Sequence, residues 1–385
     1  MILQVKFANR MLEYVMGILS KLTRGYGRGC YGGDDGLHNP KNPFAMAKLL
    51  GATMLALAGV SGVMAPPVLA TDSINIYSHR QQILIQPFLD AFTAKTGIET
   101  RIVYASKGLA QRLQAEGAAS PADVILTVDI ARLSEYADLD LLAPTRSTIL
   151  EQNIPAHLRA TDGRWFGLSE RARIVVTSKE RVAVGAIAEI EDLAKPEWKG
   201  RLCSRPGSHV YNRALLASII AADGETKATA WAKGVVANMA RKPQGNDRAQ
   251  AKAIFQGLCD VAIMNSYYYG NMLFGDEAEQ RDWANAVNLV FTNQDNRGNH
   301  VNISGGGIAK HSPRKAQALA FLEFLTTPEA QQLYGEINYE YPVNPAVTVT
   351  GPLASWGSFK RDQLPIERLA ELAPAAQKII DRSGW

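Results

Sequence analysis

The chain has 385 residues, of which 46% are hydrophobic and 20% are charged. This length and composition suit two globular domains with buried cores, and they exclude a wholly disordered chain. The formal net charge is +4, but residues 1–70 hold 7 of the 41 basic and 3 of the 37 acidic residues, so the remainder balances at 34 of each. A neutral remainder gives no reason to expect a nucleic-acid partner.

An uncharged stretch before residue 71 is typical of a secretory signal peptide. It runs from Leu49 to Ala70, follows the basic Lys48, and contains two prolines before an ending of small residues. We predict that residues 1–70 are a leader whose signal proper is 46–70, and that cleavage leaves Thr71 near the start of the mature protein. The length also permits an uncleaved membrane anchor. A signal peptide normally begins near the start of the chain, and the glycine-rich stretch 25–36 has no core pattern. Met46 is therefore the expected translation start, with a genuine long leader as the alternative.

Beyond residue 70, short apolar strands alternate with helical patterns, which favours a parallel sheet covered on both faces. The pattern changes around residues 166–177 and a second alternating region then begins. In chain order we predict strand 73–77, a helix ending at Gly97, strand 99–104, helix 109–116, strand 123–127 and a helix from Ile130. Strands 173–177 and 200–205 follow, then helices 208–222, 224–240 and 248–256 and strands 259–264 and 287–291. The last elements are strand 301–309, interrupted by Gly305-Gly306-Gly307, helix 312–325 capped by Ser312, and a helix from Pro328.

This order predicts an α/β fold of two lobes, joined by strands near 172–176 and 296–301, with a binding cleft between the lobes. The N-terminal lobe is expected to comprise 71–172 and 301–345, and the C-terminal lobe 173–300. Residues 346–385 are expected to form a C-terminal helical segment. In open α/β sheets, ligands bind beyond the C-terminal ends of strands, so residues at those ends are the candidates for a site.

Tyrosines occupy two such strand ends. Tyr211 follows the predicted strand 200–205 at the start of a helix, and Tyr267 and Tyr268 follow strand 259–264. A phenol has an unperturbed pKa of about 10, but a bound trivalent cation favours the phenolate, and hard anionic oxygen suits a hard ion such as Fe³⁺. From chemistry alone, these tyrosines are either metal ligands or ordinary wall aromatics with solvated hydroxyls.

Six motifs spread over residues 73–345 are together specific, although each alone is weak. The motifs are Ile76-Tyr-Ser-His-Arg80, Leu126-Thr-Val-Asp-Ile-Ala-Arg132, Trp165-Phe-Gly-Leu-Ser-Glu-Arg-Ala-Arg173, Asn265-Ser-Tyr-Tyr268, His300-Val-Asn-Ile-Ser-Gly-Gly-Gly307 and Asn338-Tyr-Glu-Tyr-Pro342. In these motifs the chain resembles the ferric-iron-binding proteins of ABC importers, which have the class II periplasmic binding protein fold. The resemblance implies that Tyr211, Tyr267 and Tyr268 are iron ligands and that Arg171 lies beside the site.

The chain departs from the family pattern at one ligand position. Many relatives carry His-Tyr shortly after the first strand, whereas this chain has Gln81-Gln82, and neither amide is a good ligand for Fe³⁺. His79 is expected to lie outside the first coordination shell, with direct ligation as the alternative. Relatives without the His-Tyr pair can use carbonate, and here Arg171 and Arg132 could hold such an anion. For Arg171, a salt bridge across the lobes is the alternative.

The resemblance further implies a monomeric, periplasmic, non-enzymatic protein that passes iron to an ABC transporter permease in the cytoplasmic membrane. One alternative keeps the fold and changes the ligand to an anion or a small organic solute such as phosphonate, polyamine or thiamine. A hydrolase or transferase on a two-lobed fold is a second alternative. It is opposed by the lack of a nucleophile–base motif, a phosphate loop or a Cys-x-x-Cys motif.

Three cysteines are present, and Cys30 lies in the predicted leader. Cys203 and Cys259 remain, each on a strand that leads into a tyrosine segment. Neighbouring strands are about 4.8 Å apart, within bridging range if the two residues align. A disulfide between Cys203 and Cys259 is therefore predicted, with two buried thiols as the alternative.

Overall fold

The structure is a computed structural model and describes residues 72–385. Its strands are β1 (Ser73–Ser78), β2 (Glu99–Tyr104), β3 (Val124–Thr127), β4 (Phe166–Ser178), β5 (Leu202–Cys203), β6 (Val261–Asn265), β7 (Val287–Val290) and β8 (Val301–Ile308). Its α-helices are α1 (Gln82–Thr96), α2 (Leu109–Glu116), α3 (Ile130–Asp138), α4 (Thr148–Asn153), α5 (Val210–Ala237), α6 (Asp247–Phe255), α7 (Ser266–Phe274), α8 (Ala278–Asn285), α9 (Lys315–Phe324), α10 (Pro328–Asn338), α11 (Gly351–Ala354), α12 (Glu367–Glu371) and α13 (Ala373–Ser383). The predicted signal peptide, Met46 and Cys30 lie outside the described residues. Between residues 72 and 385, no helix is both long and apolar enough to cross a membrane.

The strands form one sheet in the order β2-β1-β3-β8-β4-β6-β5, with β7 also paired to β4. Pairing is parallel between β1 and its two neighbours and between β5 and β6, as the alternating pattern predicts. In the middle of the sheet β8 and β4 run antiparallel to their neighbours, so the parallel pairing that the alternating segments favour does not extend to these two strands. Strand β4 runs antiparallel to β6, so these two neighbouring strands do not need the crossover connection that a parallel pair requires.

Strand β4 belongs to both halves of the sheet. Its first part, Phe166 to Ala172, pairs with β8, and its second part, Arg173 to Ser178, pairs with β6 and β7. All of its 13 residues are buried, including the charged Glu170, Arg171 and Arg173, so the strand is covered on both faces. We call the half that contains β1, β2, β3 and β8 the N-lobe and the half that contains β5, β6 and β7 the C-lobe. The two-lobed α/β fold predicted from the sequence is therefore confirmed.

Three local predictions differ from the structure. The strand predicted at 200–205 is only Leu202–Cys203. The helix predicted at 312–325, with Ser312 as its cap, begins at Lys315 with Arg314 at the N-cap position. The Ser312 hydroxyl donates to Asp123 and accepts from the Arg314 amide just before the helix. The glycines near residue 306 do not interrupt β8; a Cβ at Gly305 would lie 2.5 Å from the Phe166 carbonyl oxygen, so the strand needs glycine for close approach.

Helix α5 spans the two helices predicted at 208–222 and 224–240. Gly224 lies inside it with φ of +82° and ψ of 164°, so the helical geometry breaks where the sequence predicts. Trp231 lies on the second part of the helix, after this break, and packs edge-on against Trp385 with ring centroids 5.4 Å apart. The Trp385 indole also donates to the Ser204 hydroxyl. The segment 346–385 thus packs along the helix that carries Tyr211.

Candidate metal centre

A cavity of 740 Å³ lies between the two lobes. It is bounded by the loop after β1 and the ends of β2 and β3 in the N-lobe, and by the first turns of α5, α6 and α7 in the C-lobe. The lining residues that carry chemistry are His79, Arg80, Gln81, Tyr104, Ser106, Arg132, Arg171, His209, Tyr211, Arg248, Tyr267, Tyr268, Asn271 and Glu340. The ends of strands therefore meet at this cavity, as expected for an open α/β sheet.

Three phenols meet on the C-lobe wall. Tyr211 is the second residue of α5, and Tyr267 and Tyr268 are the second and third residues of α7. The hydroxyls of Tyr211 and Tyr267 are 3.0 Å apart, and one donates a hydrogen bond to the other. The rings of Tyr267 and Tyr268 lie together, with centroids 4.3 Å apart. Tyr269 points elsewhere and packs edge-on against Trp356.

Without a bound cation, the surroundings of this wall favour the neutral phenol over the phenolate form of Tyr211 and Tyr267. Burial raises the pKa of Tyr211, and burial together with the neighbouring phenols raises the pKa of Tyr267 well above its usual value. Both phenols are therefore neutral when no cation is bound. The helix N-termini that carry them supply partial positive charge, which lowers the cost of forming phenolates. A trivalent cation would displace the protons, as bound metals do for other weak acids.

A buried network centred on Arg173 connects the two tyrosine segments. Its guanidinium donates to Asn212 Oδ1 at 2.6 Å, and to Asp247 Oδ2 at 2.6 Å and Asn265 Oδ1 at 3.0 Å. Asn212 is the neighbour of Tyr211, while Asn265 is the last residue before α7. Because Arg173 is 2% exposed and Asp247 is fully buried, this ion pair is shielded from water. Arg173 thereby fixes the spacing of the two segments.

Arg171, which the sequence predicted beside the site, lies in the cavity wall with its charge already paired. Its guanidinium donates to the Val128 carbonyl, to Asp129 at 3.2 Å and to the Ser304 hydroxyl at 3.1 Å. Its guanidinium carbon is 5.5 Å from the centre of the Tyr211 ring. Arg171 therefore ties the N-lobe to the aromatic wall of the C-lobe, and little of its fork is left for an anion.

Two other arginines face the cavity with their charges unpaired. Arg132 lies in the first turn of α3, and Arg248 lies in the first turn of α6 with its guanidinium carbon 4.9 Å from the centre of the Tyr268 ring. Among residues 72–385, no carboxylate is within salt-bridge distance of either one. The sequence predicted Arg132 but missed Arg248, because its position depends on how α6 packs against α7.

His79 and the two glutamines occupy different positions. The His79 ring nitrogens lie 2.9 Å from the Ala105 carbonyl and 3.0 Å from the Tyr136 hydroxyl, so Nδ1 donates and Nε2 accepts. Burial and the nearby Arg132 lower the pKa of His79 to about 4, which leaves the ring neutral. Gln81 lines the cavity, whereas the Gln82 side chain donates to Gln86 along α1 and does not line it.

His209 is a cavity residue that the sequence analysis did not select. It caps α5 by accepting from the Tyr211 amide through Nδ1, and its ring lies edge-on to the Tyr211 ring with centroids 4.5 Å apart. Burial and Arg205 lower its pKa to about 3, so the imidazole is neutral. His209 lies inside the helix predicted at 208–222, so its role as a cap depends on the true helix start at Val210, which the sequence pattern did not fix.

Conventional metal ligands do not form an alternative site in this part of the chain. Within residues 72–385, no group of three or more His, Cys, Asp or Glu side chains is arranged to hold a metal ion. The phenolic oxygens that line the cavity are a type of ligand that suits a hard cation.

The two cysteines of this region form a disulfide, with Cα atoms 5.9 Å apart. Cys203 ends β5, and Cys259 precedes β6, which pairs with β5. The bridge lies under the segments that lead to Tyr211 and Tyr267. It joins the two chain segments whose ends carry the phenols.

Comparison with known proteins agrees with this architecture. Residues 77–332 match the family of bacterial extracellular solute-binding proteins. Iron uptake protein A1 of Synechocystis sp. is 42% identical over 313 residues, which are 81% of this chain and 87% of that protein.

Two solved structures are similar over nearly their whole length. Ferric iron-binding protein A of Mannheimia haemolytica, in an open conformation, is 46% identical with a TM-score of 0.77, and the match covers 81% of this chain and 98% of that one. The Trichodesmium protein IdiA (FutA), in complex with iron and citrate ligands, is 42% identical with a TM-score of 0.79, and the match covers 81% and 99%. On these matches and on its two-lobed fold, the chain belongs to the family of bacterial extracellular solute-binding proteins.

Proposed function

We propose that this protein is the extracytoplasmic solute-binding component of an ABC importer and that it captures ferric iron through the phenolates of Tyr211, Tyr267 and Tyr268. The observation that carries the proposal is the 3.0 Å approach of the Tyr211 and Tyr267 hydroxyls, beside the Tyr268 ring. Three phenolates balance the charge of Fe³⁺, which lowers the cost of holding it away from water. The naming of the similar proteins as ferric-binding or iron-uptake proteins supports the same ion.

A small anion, carbonate in the first instance, supplies two further oxygen ligands in this proposal. Arg132 and Arg248 are its supports, because their charges face the cavity from opposite lobes with no carboxylate beside them. Arg171 was the first choice from sequence, but its hydrogen bonds to Asp129 and Ser304 leave it as a wall residue. Charge-assisted hydrogen bonds from arginine suit a planar, two-oxygen anion.

In this proposal the protein delivers its iron to a permease in the cytoplasmic membrane, and membership of the extracellular solute-binding family supports that role. The mature protein is then monomeric and periplasmic, and it begins near Thr71. His79 is a supporting residue in this account, because both of its ring nitrogens are engaged. The cationic cavity also supports an anion such as phosphonate as the sole solute, and such a complex would be colourless.

The test replaces each of Tyr211, Tyr267 and Tyr268 by phenylalanine in the purified mature protein. Each change removes one anionic oxygen and keeps the ring, so folding should be preserved while bound iron loses charge balance. We expect the visible phenolate-to-iron band to weaken and shift in all three variants. We also expect iron retention against a chelator to fall by about tenfold or more, the scale of losses at metal sites.

Tyr269→Phe is the matched control, since this neighbour packs against Trp356 outside the cavity. It should retain the wild-type spectrum and iron retention. Wild-type spectra and retention in both Tyr267→Phe and Tyr268→Phe would refute the ligand assignment. Phosphonate binding with no visible band on ferric addition would favour the anion alternative.

A further inference from the structure

The N-lobe wall of the cavity lacks an evident anionic oxygen for a ferric ion. Arg80 and Arg132 are cations, Gln81 is neutral, and the His79 imidazole is neutral with both nitrogens bonded. Glu340 is a carboxylate, but Arg80 binds both of its oxygens and the Ser169 hydroxyl donates to it as well. The C-lobe contributes all three phenols described above. An ion bound between the lobes would therefore have no anionic side chain as a ligand on its N-lobe side.

Tyr104 is the phenol that the N-lobe offers to this cavity. It is the last residue of β2 and pairs in register with Ser78, immediately before His79 in the loop that leads to Gln81. The side chain lines the cavity and is 44% exposed. Among residues 72–385, its hydroxyl makes no hydrogen bond with another residue, unlike those of Tyr77 and Tyr136 in the same lobe.

An exposed phenol at this place serves no packing function through its hydroxyl. The ring contributes apolar surface to the rim, and phenylalanine would supply that equally well. Among the described residues, no side chain or backbone group of the N-lobe hydrogen-bonds the Tyr104 hydroxyl oxygen. Three C-lobe phenolates and a two-oxygen anion also leave one position of an octahedral ion unfilled.

We propose that Tyr104 binds the ferric ion as a phenolate from the N-lobe, when the lobes close on the iron complex. The phenol loses its proton to solvent as the iron–oxygen bond forms, in the same way as the three C-lobe phenols. Tyr104 thus replaces, on the neighbouring strand, the ligand that Gln81 and Gln82 cannot provide. This inference rests on the proposed ferric site and adds a lobe-bridging ligand to it.

The experiment compares Tyr104→Phe with wild type and with Tyr267→Phe, each loaded with ferric iron in bicarbonate buffer. Because phenylalanine keeps the ring, the apo variant should unfold at the wild-type temperature. We expect the visible band of Tyr104→Phe to shift and its absorbance per iron to fall. Iron retention against a chelator should fall by about tenfold or more, as for other losses at metal sites. Tyr77→Phe is the control, since this buried N-lobe phenol bonds Glu116 instead of facing the cavity.

The outcomes separate this inference from the proposed function. A wild-type spectrum and wild-type retention in Tyr104→Phe, with both lost in Tyr267→Phe, would overturn the Tyr104 assignment and leave the ferric site intact. Wild-type behaviour in both variants would overturn the proposed function as well. A spectral change in Tyr104→Phe that Tyr77→Phe does not reproduce would support the bridging ligand.

Discussion

At the residue scale, Arg132 and Arg248 are two cavity arginines that have no carboxylate within salt-bridge distance among residues 72–385. Arg171 and Arg173 are buried to a similar or greater degree, but each is paired with an aspartate. A buried ion pair holds its own geometry, whereas an unpaired guanidinium at a cavity wall is available to a ligand. The distinction separates the arginines that shape the site from those that can bind an anion.

We therefore expect Arg132→Gln and Arg248→Gln to reduce the gain in iron retention that bicarbonate gives to the wild-type protein. A lost charge-assisted hydrogen bond is worth about 1.5–3 kcal/mol, so the reduction should be on the order of tenfold or more. Chelator competition with and without bicarbonate measures it. Arg101→Gln is the control, because Arg101 is exposed on β2 away from the cavity. A full bicarbonate effect in both cavity variants would contradict this assignment.

The variant His79→Ala tests the alternative that His79, rather than an anion, supplies the ligand missing from the N-lobe. His79→Ala leaves the Ala105 carbonyl and the Tyr136 hydroxyl without their partner, so a moderate loss of stability is expected. The bicarbonate effect should persist in this variant. Its disappearance, together with a large loss of iron, would make His79 a ligand and remove the need for an anion.

Residues that follow strands were the part of the site most open to prediction. Tyr211, Tyr267 and Tyr268 converge because strand ends meet at one edge of a sheet, which a sequence pattern can indicate. The position of Arg248 and the pairing of Arg171 depend on contacts between segments far apart in sequence. Tyr104 was assigned only to the end of a strand, and its place on the cavity wall emerged from the register between β1 and β2.

At the element scale, the disulfide between Cys203 and Cys259 joins the segments leading into α5 and α7. The structure has the bridge, and in solution we expect the mature protein to gain about two mass units on reduction and to lose about 2–4 kcal/mol of stability, the usual range. Intact mass and thermal unfolding with and without reductant measure the two effects. An unchanged mass after reduction under denaturing conditions would show free thiols.

The strands show where pattern reasoning fails at this scale. The alternating segments correctly indicated β1, β2 and β3, which pair in parallel. The direction of β4 and β8 could not be read in the same way, since a fully buried strand has the same composition whichever way it runs. The glycines of β8 were taken for an interruption, although close neighbouring backbones require them.

At the scale of the whole molecule, the two lobes share β4, and the cavity lies where they face each other. The chain segment 338–342 adds a second contact, because Tyr341 pairs with Glu170 on β4 while Glu340 binds Arg80 in the N-lobe. The Tyr339 ring lies over Gly270 in α7, where a Cβ would be only 2.4 Å from it. The helix that carries Tyr267 and Tyr268 is thus in direct contact with a segment that is anchored in the N-lobe.

The two-lobed architecture also sets the pH dependence of the proposed function. Burial in the interlobe wall raises the pKa of Tyr211 and Tyr267, so both phenols carry protons before iron binds. Metal binding must release those protons, and affinity therefore falls as pH falls. For each proton that binding releases, the affinity for iron falls about tenfold when the pH falls by one unit, since one pKa unit corresponds to about 1.4 kcal/mol.

A ferric titration of the purified mature protein, followed by visible absorbance at about pH 7.5 and about pH 6.5, tests phenolate binding most directly. We predict a phenolate-to-iron band that saturates at one ion per chain. After correction for protonation of the competing chelator, apparent affinity should be at least about a hundredfold weaker at the lower pH, from two released protons. A colourless protein at saturating ferric iron, or an affinity independent of pH, would contradict the account.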